Sequence, residues 1–145
     1  MVGAGTGVAP FLAFLRERMA VMQVDGVSKM GDATLIMGYR NSGEVVGSEC
    51  VQSAMRMGAL SQHIYAYSDV ASSSTARPVF PSDSIKANRD VIVSTLDNGG
   101  KVYICGGAQG FGTSVIDAMK DILLHTPYTY DTLLDQQVIL EDLAD

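Results

Sequence analysis

MVGAGTGVAPF, residues 1–11, sets Gly3, Gly5 and Gly7 in alternation with small residues directly behind a short apolar stub. Pro10 stands where a helix can begin, because a proline in the first turn lacks only an N–H that would have no partner within the helix. The stretch therefore reads as strand stub, glycine loop and helix. Such a loop leaves main-chain N–H groups unobstructed and the helix end adds partial positive charge. An anionic pyrophosphate could be held there by backbone donors, with the Thr6 hydroxyl as a further one. No Gly-Lys-Ser/Thr follows, and the three glycines do not give G-x-G-x-x-G, so neither of those phosphate motifs applies. On the residues alone, phosphate binding and a tight structural turn remain alternatives.

Outward from this loop, short β-rich apolar runs alternate with segments of helical period, as in a parallel sheet with helices on both faces. The expected strands are Met1–Val2, Ala33–Tyr39, Gln62–Ser68, Lys101–Cys105 and Val138–Leu140. Phe11, Leu15, Met19 and Met22 recur at helical spacing, as do Val115, Ile116, Met119, Ile122 and Leu123, and both stripes read as core. Two weaker helices are expected over Glu44–Met57 and Ser84–Leu96, the second with Ser82 or Asp83 as its N-cap. Ser68–Pro81, with its SSST run and two prolines, reads as a long loop.

With 145 residues, 47% of them hydrophobic, the chain suits one compact domain. A net charge of −6 and only 10 Lys and Arg argue against nucleic-acid binding, which needs clustered cations. Cys50 and Cys105 form no C-x-x-C pair, so neither a disulfide framework nor a structural metal site is expected. The absence of a signal pattern or a long uncharged apolar run leads us to expect a soluble, cytoplasmic chain with no membrane segment.

The stretch Gly3–Arg18, G-x-G-T-G-x-A-P-F followed by F-L-x-E-R, resembles the motif of ferredoxin–NADP reductases and their diflavin relatives of the NADPH–cytochrome P450 reductase type. The likeness continues in order. LIMGYRN, residues 35–41, resembles the family's strand ending in G-x-R-N/R, and VYICGGAQGF, residues 102–111, resembles its V-Y-x-C-G-x-A-x-x-M segment. ILEDLAD, residues 139–145, resembles the tail in which an acid-Val-Trp sequence closes the diflavin enzymes. The resemblance implies an α/β fold, a three-layer, doubly wound, five-stranded parallel sheet. It is the Rossmann-like nucleotide-binding domain of ferredoxin reductases, here filling residues 1–145.

It also implies roles. Cys105 and Asp142 match the cysteine and the acid that orient the nicotinamide for hydride transfer to or from a flavin, and Gly106 and Gly107 leave open backbone for the ring. The competing account of Cys105 is a buried inert thiol. Gly3, Gly5, Thr6 and Gly7 would hold pyrophosphate. Arg40 and Asn41 close the second strand, where the guanidinium could clamp pyrophosphate or ribose oxygens, unless Arg40 is simply solvated. At the third strand's end the family usually places a Ser-Arg pair and a later Lys-x-Tyr around a 2′-phosphate. Here Ser68 is followed by Asp69, a carboxylate that repels phosphate and accepts a hydrogen bond from a ribose hydroxyl, so NAD(H) competes with NADP(H) as the expected cofactor. Arg77, Lys86 or Arg89 are candidates for the missing cation, and Phe80 for the stacking ring. Gly107, Gln109 and Phe111 depart from the Asp, Arg and Met common in the family, and Ala144 stands where an aromatic usually covers the flavin.

The FAD-binding barrel that precedes this unit in the family is absent from these residues. FAD would enter through a missing domain or a partner flavoprotein, and the downstream electron-acceptor protein is not specified. The expected function is a NAD(P)H-binding module of an NADPH-dependent flavoprotein reductase, inactive as the isolated chain. A degenerate nucleotide-binding or interaction domain is the alternative.

Overall fold

The computed structural model describes residues 1–26, 30–69 and 77–145, so the SSST run of the expected loop lies outside the described residues. Among them, five strands form one sheet: β1 (Val2–Ala4), β2 (Thr34–Tyr39), β3 (Gln62–Tyr67), β4 (Val102–Gly107) and β5 (Ile139–Ala144). All pair in parallel, in the order β3-β2-β1-β4-β5. The chain thus works outward from β1 to β3 and then returns to β4 on the other side of β1. The reversal creates a switch point between the carboxyl ends of β1 and β4, where the connections part and a crevice opens. The doubly wound α/β fold expected from the sequence is the one observed.

Helices cover both faces: α1 (Ala9–Val24) and α2 (Ser48–Met57) on one, α3 (Pro81–Ala87), α4 (Arg89–Asp97), α5 (Thr113–Leu123) and α6 (Tyr130–Asp135) on the other. The alternation of β2 feeds both cores. Leu35, Met37 and Tyr39 pack with Phe11, Leu15, Val51 and Ala54, while Ile36 packs with Val2, Ile104, Ile85, Val115 and Met119. Each aliphatic side chain fully buried in this way contributes roughly 1.5–3 kcal/mol. Both expected helical stripes lie against the sheet, with Met19 and Ile116 at their half-buried margins.

Several boundaries differ from expectation for local reasons. Strand β1 runs on through Gly3 to Ala4, which continue the parallel pairing with Met37 and Gly38 of β2. The helix expected over Glu44–Met57 splits into a single 3-10 turn at Ser42–Glu44 and α2, because Val45 is extended and Gly47 is left-handed at φ 73°. The one expected over Ser84–Leu96 begins earlier, with Pro81 in its first turn, and breaks at Asn88, whose amide donates to the Ser84 carbonyl at 2.8 Å. Neither Ser82 nor Asp83 is its N-cap. Phe80 holds that place, and Asp83 at N3 accepts from the Phe80 N–H at 2.9 Å. Strand β5 continues four residues past the expected Leu140, and α6 lay unread in a segment only six residues long. No helix among the described residues is long and apolar enough to cross a membrane.

Candidate functional site

Residues Gly5–Val8 form one 3-10 turn between β1 and α1. Gly5 has φ +55° with nothing within 4 Å of where a Cβ would stand, so its backbone faces open space. Gly7 is the reverse case: a Cβ there would come within 2.1 Å of the Cys105 carbonyl oxygen. The loop therefore presses against β4 on one side and opens outward on the other, with Thr6 exposed at its tip. The turn runs directly into the 16-residue helix α1, whose Ala9 N–H is paired with the Thr6 carbonyl and whose Pro10 has no N–H, so the positive end of the helix lies behind the Gly5–Val8 turn.

A groove of about 920 Å³ runs from this loop along the carboxyl ends of β1, β2 and β3. Its walls are mostly apolar, with Val46, Val79, Phe80 and Phe111 among them; Arg40, Glu44, Ser68 and Ser82 contribute polar groups. The size and the mixture suit an organic ligand with an anionic centre. Tyr39 closes the floor and its hydroxyl donates to the Val46 carbonyl at 3.4 Å, with burial pushing the phenol up from its ordinary range.

At the switch point, Gly3 of β1 pairs with Cys105 of β4, and Cys105 pairs with Asp142 of β5. The register sets thiol and carboxylate side by side on one face, where the Cys105 S–H donates to Asp142 Oδ2 at 3.8 Å. Burial pushes the thiol up from its ordinary value, and the Asp142 carboxylate pushes it the same way. A thiol so placed is a poor nucleophile at neutral pH. It offers a polarisable surface beside an acceptor, next to the open backbone of Gly107. The Phe111 ring fills the place a Gly106 side chain would take, at 2.7 Å from that Cβ position.

A profile of the family described as Oxidoreductase NAD-binding domain matches residues 1–116. The chain belongs to that family. This NAD-binding domain is 31% identical to NADPH–cytochrome P450 reductase of Saccharomyces cerevisiae over 129 residues, covering 85% of the chain and 18% of the relative. It is 32% identical to NADPH–cytochrome P450 reductase of Homo sapiens over 124 residues, covering 85% and 17%. NADPH oxidoreductase A of Dictyostelium discoideum matches at 28% identity over 144 residues, covering 99% and 21%. The chain thus spans about a fifth of the length of these relatives. The resemblance read from the glycine loop, and the dinucleotide-binding oxidoreductase class it implied, are borne out.

The NAD-binding domain brings together most of the residues singled out in its sequence. Gly5, Thr6, Arg40, Ser68, Phe80 and Phe111 line the groove; Cys105, Gly106, Gly107 and Asp142 gather at the switch point. Gly3 lies in the β1 ladder, buried, and is a packing glycine. Asn41 does not line the groove. Its carbonyl side chain accepts from the Gly43 N–H at 2.9 Å and its amide donates to Glu44 Oε1 at 3.3 Å, which holds Glu44 at the groove wall. Asp69 follows Ser68, its N–H donating to the Arg40 carbonyl at 2.8 Å. Lys86 is paired with Asp121 of α5 at 2.8 Å, and Arg89 donates to the Ile122 carbonyl at 3.0 Å. Both are drawn to α5, outside the groove. Arg77 is exposed on the segment leading into α3 and does not line the groove either.

Glu44, Val46, Val79 and Ser82 were not singled out as groove residues in the sequence, because their places depend on how two connections fold over the sheet ends. Arg18 was noticed only as part of a motif. Its guanidinium donates to the Ala59 carbonyl at 2.7 Å and the Gly31 carbonyl at 2.5 Å, joining α1 to the segments that enter β3 and β2.

Proposed function

We propose that this domain binds a nicotinamide dinucleotide in the groove, with its pyrophosphate on the Gly5–Val8 turn and its nicotinamide beside Cys105 and Asp142, and presents it to a flavin outside these residues. One observation carries the reading: the anion-accepting turn and the Cys105–Asp142 pair are locked together, with Gly7 against the Cys105 carbonyl. The residues fit the group. Gly5 leaves room for a close backbone approach, α1 sets its positive end behind the turn, and Val46, Val79 and Phe80 supply an apolar surface suited to an aromatic base. When bound, the nicotinamide supplies a hydride for a flavin to accept. Cys105 would then pack against the ring and Asp142 would accept a hydrogen bond from it, so that both act by orienting the ring rather than by exchanging protons. Arg40 would neutralise a phosphate, with Gly107 leaving the ring's approach open beside Phe111, which lies over Gly106.

The partner is an FAD-binding domain or flavoprotein, and an electron-acceptor protein lies beyond it; NADPH-dependent activity of the cytochrome P450 reductase type belongs to such an assembly. Calorimetric titration of the purified domain with NADH and NADPH tests the binding. We expect saturable binding of at least one at physiological concentration, and no appreciable dye reduction until a flavoprotein is added. Absence of binding to both nucleotides would overturn the proposal. Robust dye reduction by the purified domain would contradict its dependence on an outside flavin.

A further inference from the structure

The far end of the groove would meet the adenosine ribose, and the charges there decide which ribose it suits. With the nicotinamide beside β4 and the pyrophosphate on the Gly5–Val8 turn, the adenosine falls at the ends of β2 and β3. Among the described residues that line the groove, Arg40 is the one cation and Glu44 the one carboxylate. Asn41 holds Glu44 in place through a hydrogen bond of 3.3 Å. Asp69 adds a second acid immediately beyond the groove-lining Ser68, tied to β2 through the Arg40 carbonyl at 2.8 Å. The other nearby cations are committed elsewhere: Lys86 to Asp121 and Arg89 to the Ile122 carbonyl and Asp90.

A ribose 2′-phosphate carries close to two negative charges and needs cations to replace its water. A free 2′-hydroxyl needs an acceptor, which a carboxylate or a serine hydroxyl provides. One arginine flanked by two acids, with Ser68 and Ser82 at hand, offers the second kind of environment. Resting on the proposed dinucleotide site, we infer that Glu44 and Asp69 set its selectivity, so that the domain accepts a free 2′-hydroxyl at least as well as a 2′-phosphate and takes NAD(H) without preference for NADP(H).

The test uses adenine-half probes, which need neither flavin nor turnover. Calorimetric titration compares 5′-ADP with 2′,5′-ADP on the wild-type domain and on Asp69→Asn, Glu44→Gln and Arg77→Ala. We expect 5′-ADP to bind the wild type as tightly as 2′,5′-ADP or more tightly. Removing either acid should raise 2′,5′-ADP affinity by about threefold to tenfold relative to 5′-ADP, the attraction lost by a screened like charge a few ångströms away. Arg77→Ala should leave the ratio unchanged. The inference is overturned if the wild type binds 2′,5′-ADP about tenfold tighter than 5′-ADP, if neither acid variant moves the ratio, or if Arg77→Ala abolishes 2′,5′-ADP binding selectively. Those outcomes leave the dinucleotide site standing. Failure of both probes and both intact dinucleotides would instead remove the site itself.

Discussion

Gly7 and Cys105 are in backbone contact: the space a side chain at Gly7 would need is occupied by the Cys105 carbonyl oxygen, 2.1 Å from the Cβ position. The turn that meets the phosphate and the strand end that carries the thiol are therefore one rigid unit. Neither can shift without the other.

Gly7→Ala tests that unit. The methyl group meets backbone, which cannot rotate away, so the turn must part from β4. We expect a loss of about 1–3 kcal/mol of stability together with loss of NADH and NADPH binding. Gly5→Ala, where a Cβ meets nothing but φ is +55°, should cost less, about 1 kcal/mol. Urea melts and calorimetric titration of the two variants check this order, and equal losses would contradict the contact.

Asp142→Asn changes the thiol next to it. Burial and the carboxylate both hold Cys105 up from its ordinary value, so removing the charge should bring it down and raise its thiolate fraction at mildly alkaline pH. Iodoacetamide should then alkylate Cys105 severalfold faster than in the wild type, with mass spectrometry following each site. Cys50, whose Sγ lies 3.9 Å from the Leu12 carbonyl and far from Asp142 in sequence, is the internal control and should keep its rate.

Much of this site was legible because local chemistry dictates it. The glycine loop, Pro10 and the apolar stub can form little else than a strand-turn-helix, and the VYICGG run has to be a buried strand with an open end. Boundaries were less legible. Asn88 breaks a helix that Ile85, Ile92 and Leu96 made look continuous, its backbone leaving helical geometry at φ −113° and ψ 29° while its side-chain amide donates to the Ser84 carbonyl. The charges around the groove were the least legible part. Lys86 and Arg89 looked available in the sequence, yet α5 packs against α3 and presents Asp121 and the Ile122 carbonyl to them. Glu44 went unnoticed because its place follows from Asn41 capping a three-residue turn.

Arg18→Ala should destabilise the fold without touching the groove. Its two bonds to the Ala59 and Gly31 carbonyls are charge-assisted and join three segments of chain. Hydrogen bonds to charged groups contribute about 1.5–3 kcal/mol each, and some of this returns through water at the exposed Gly31. A net loss of about 2–3 kcal/mol in urea melts, with nucleotide affinity of the folded fraction unchanged, is the expected result.

Tyr130→Phe probes the other face. The nearly buried phenol donates to Glu141 Oε1, and burial, then that bond, holds it above its ordinary value of 10.0. A folded-state value above the unfolded one means that the hydroxyl contributes in full below about pH 10, and its contribution fades as the pH rises beyond that. The variant should be about 0.5–1.5 kcal/mol less stable at neutral pH. Its stability should also fall less steeply than the wild type's above about pH 10, as seen in melts across that range.

The pairing of β4 with β5 carries one more consequence. Glu141 and Asp142 are neighbours on alternate faces of an edge strand, so a slip that brings Glu141 into the place of Asp142 would hand the thiol a different carboxylate and leave the local chemistry almost intact. What forbids the slip is not at the thiol. Ile139, 1% exposed, would be turned out of the core, and Tyr130 would lose its acceptor. The identity of the acid beside Cys105 is thus decided by an isoleucine and a tyrosine on the far side of the sheet. An insertion of one residue between residues 136 and 138 should set Glu141 opposite Cys105 only if a new apolar anchor is supplied with it.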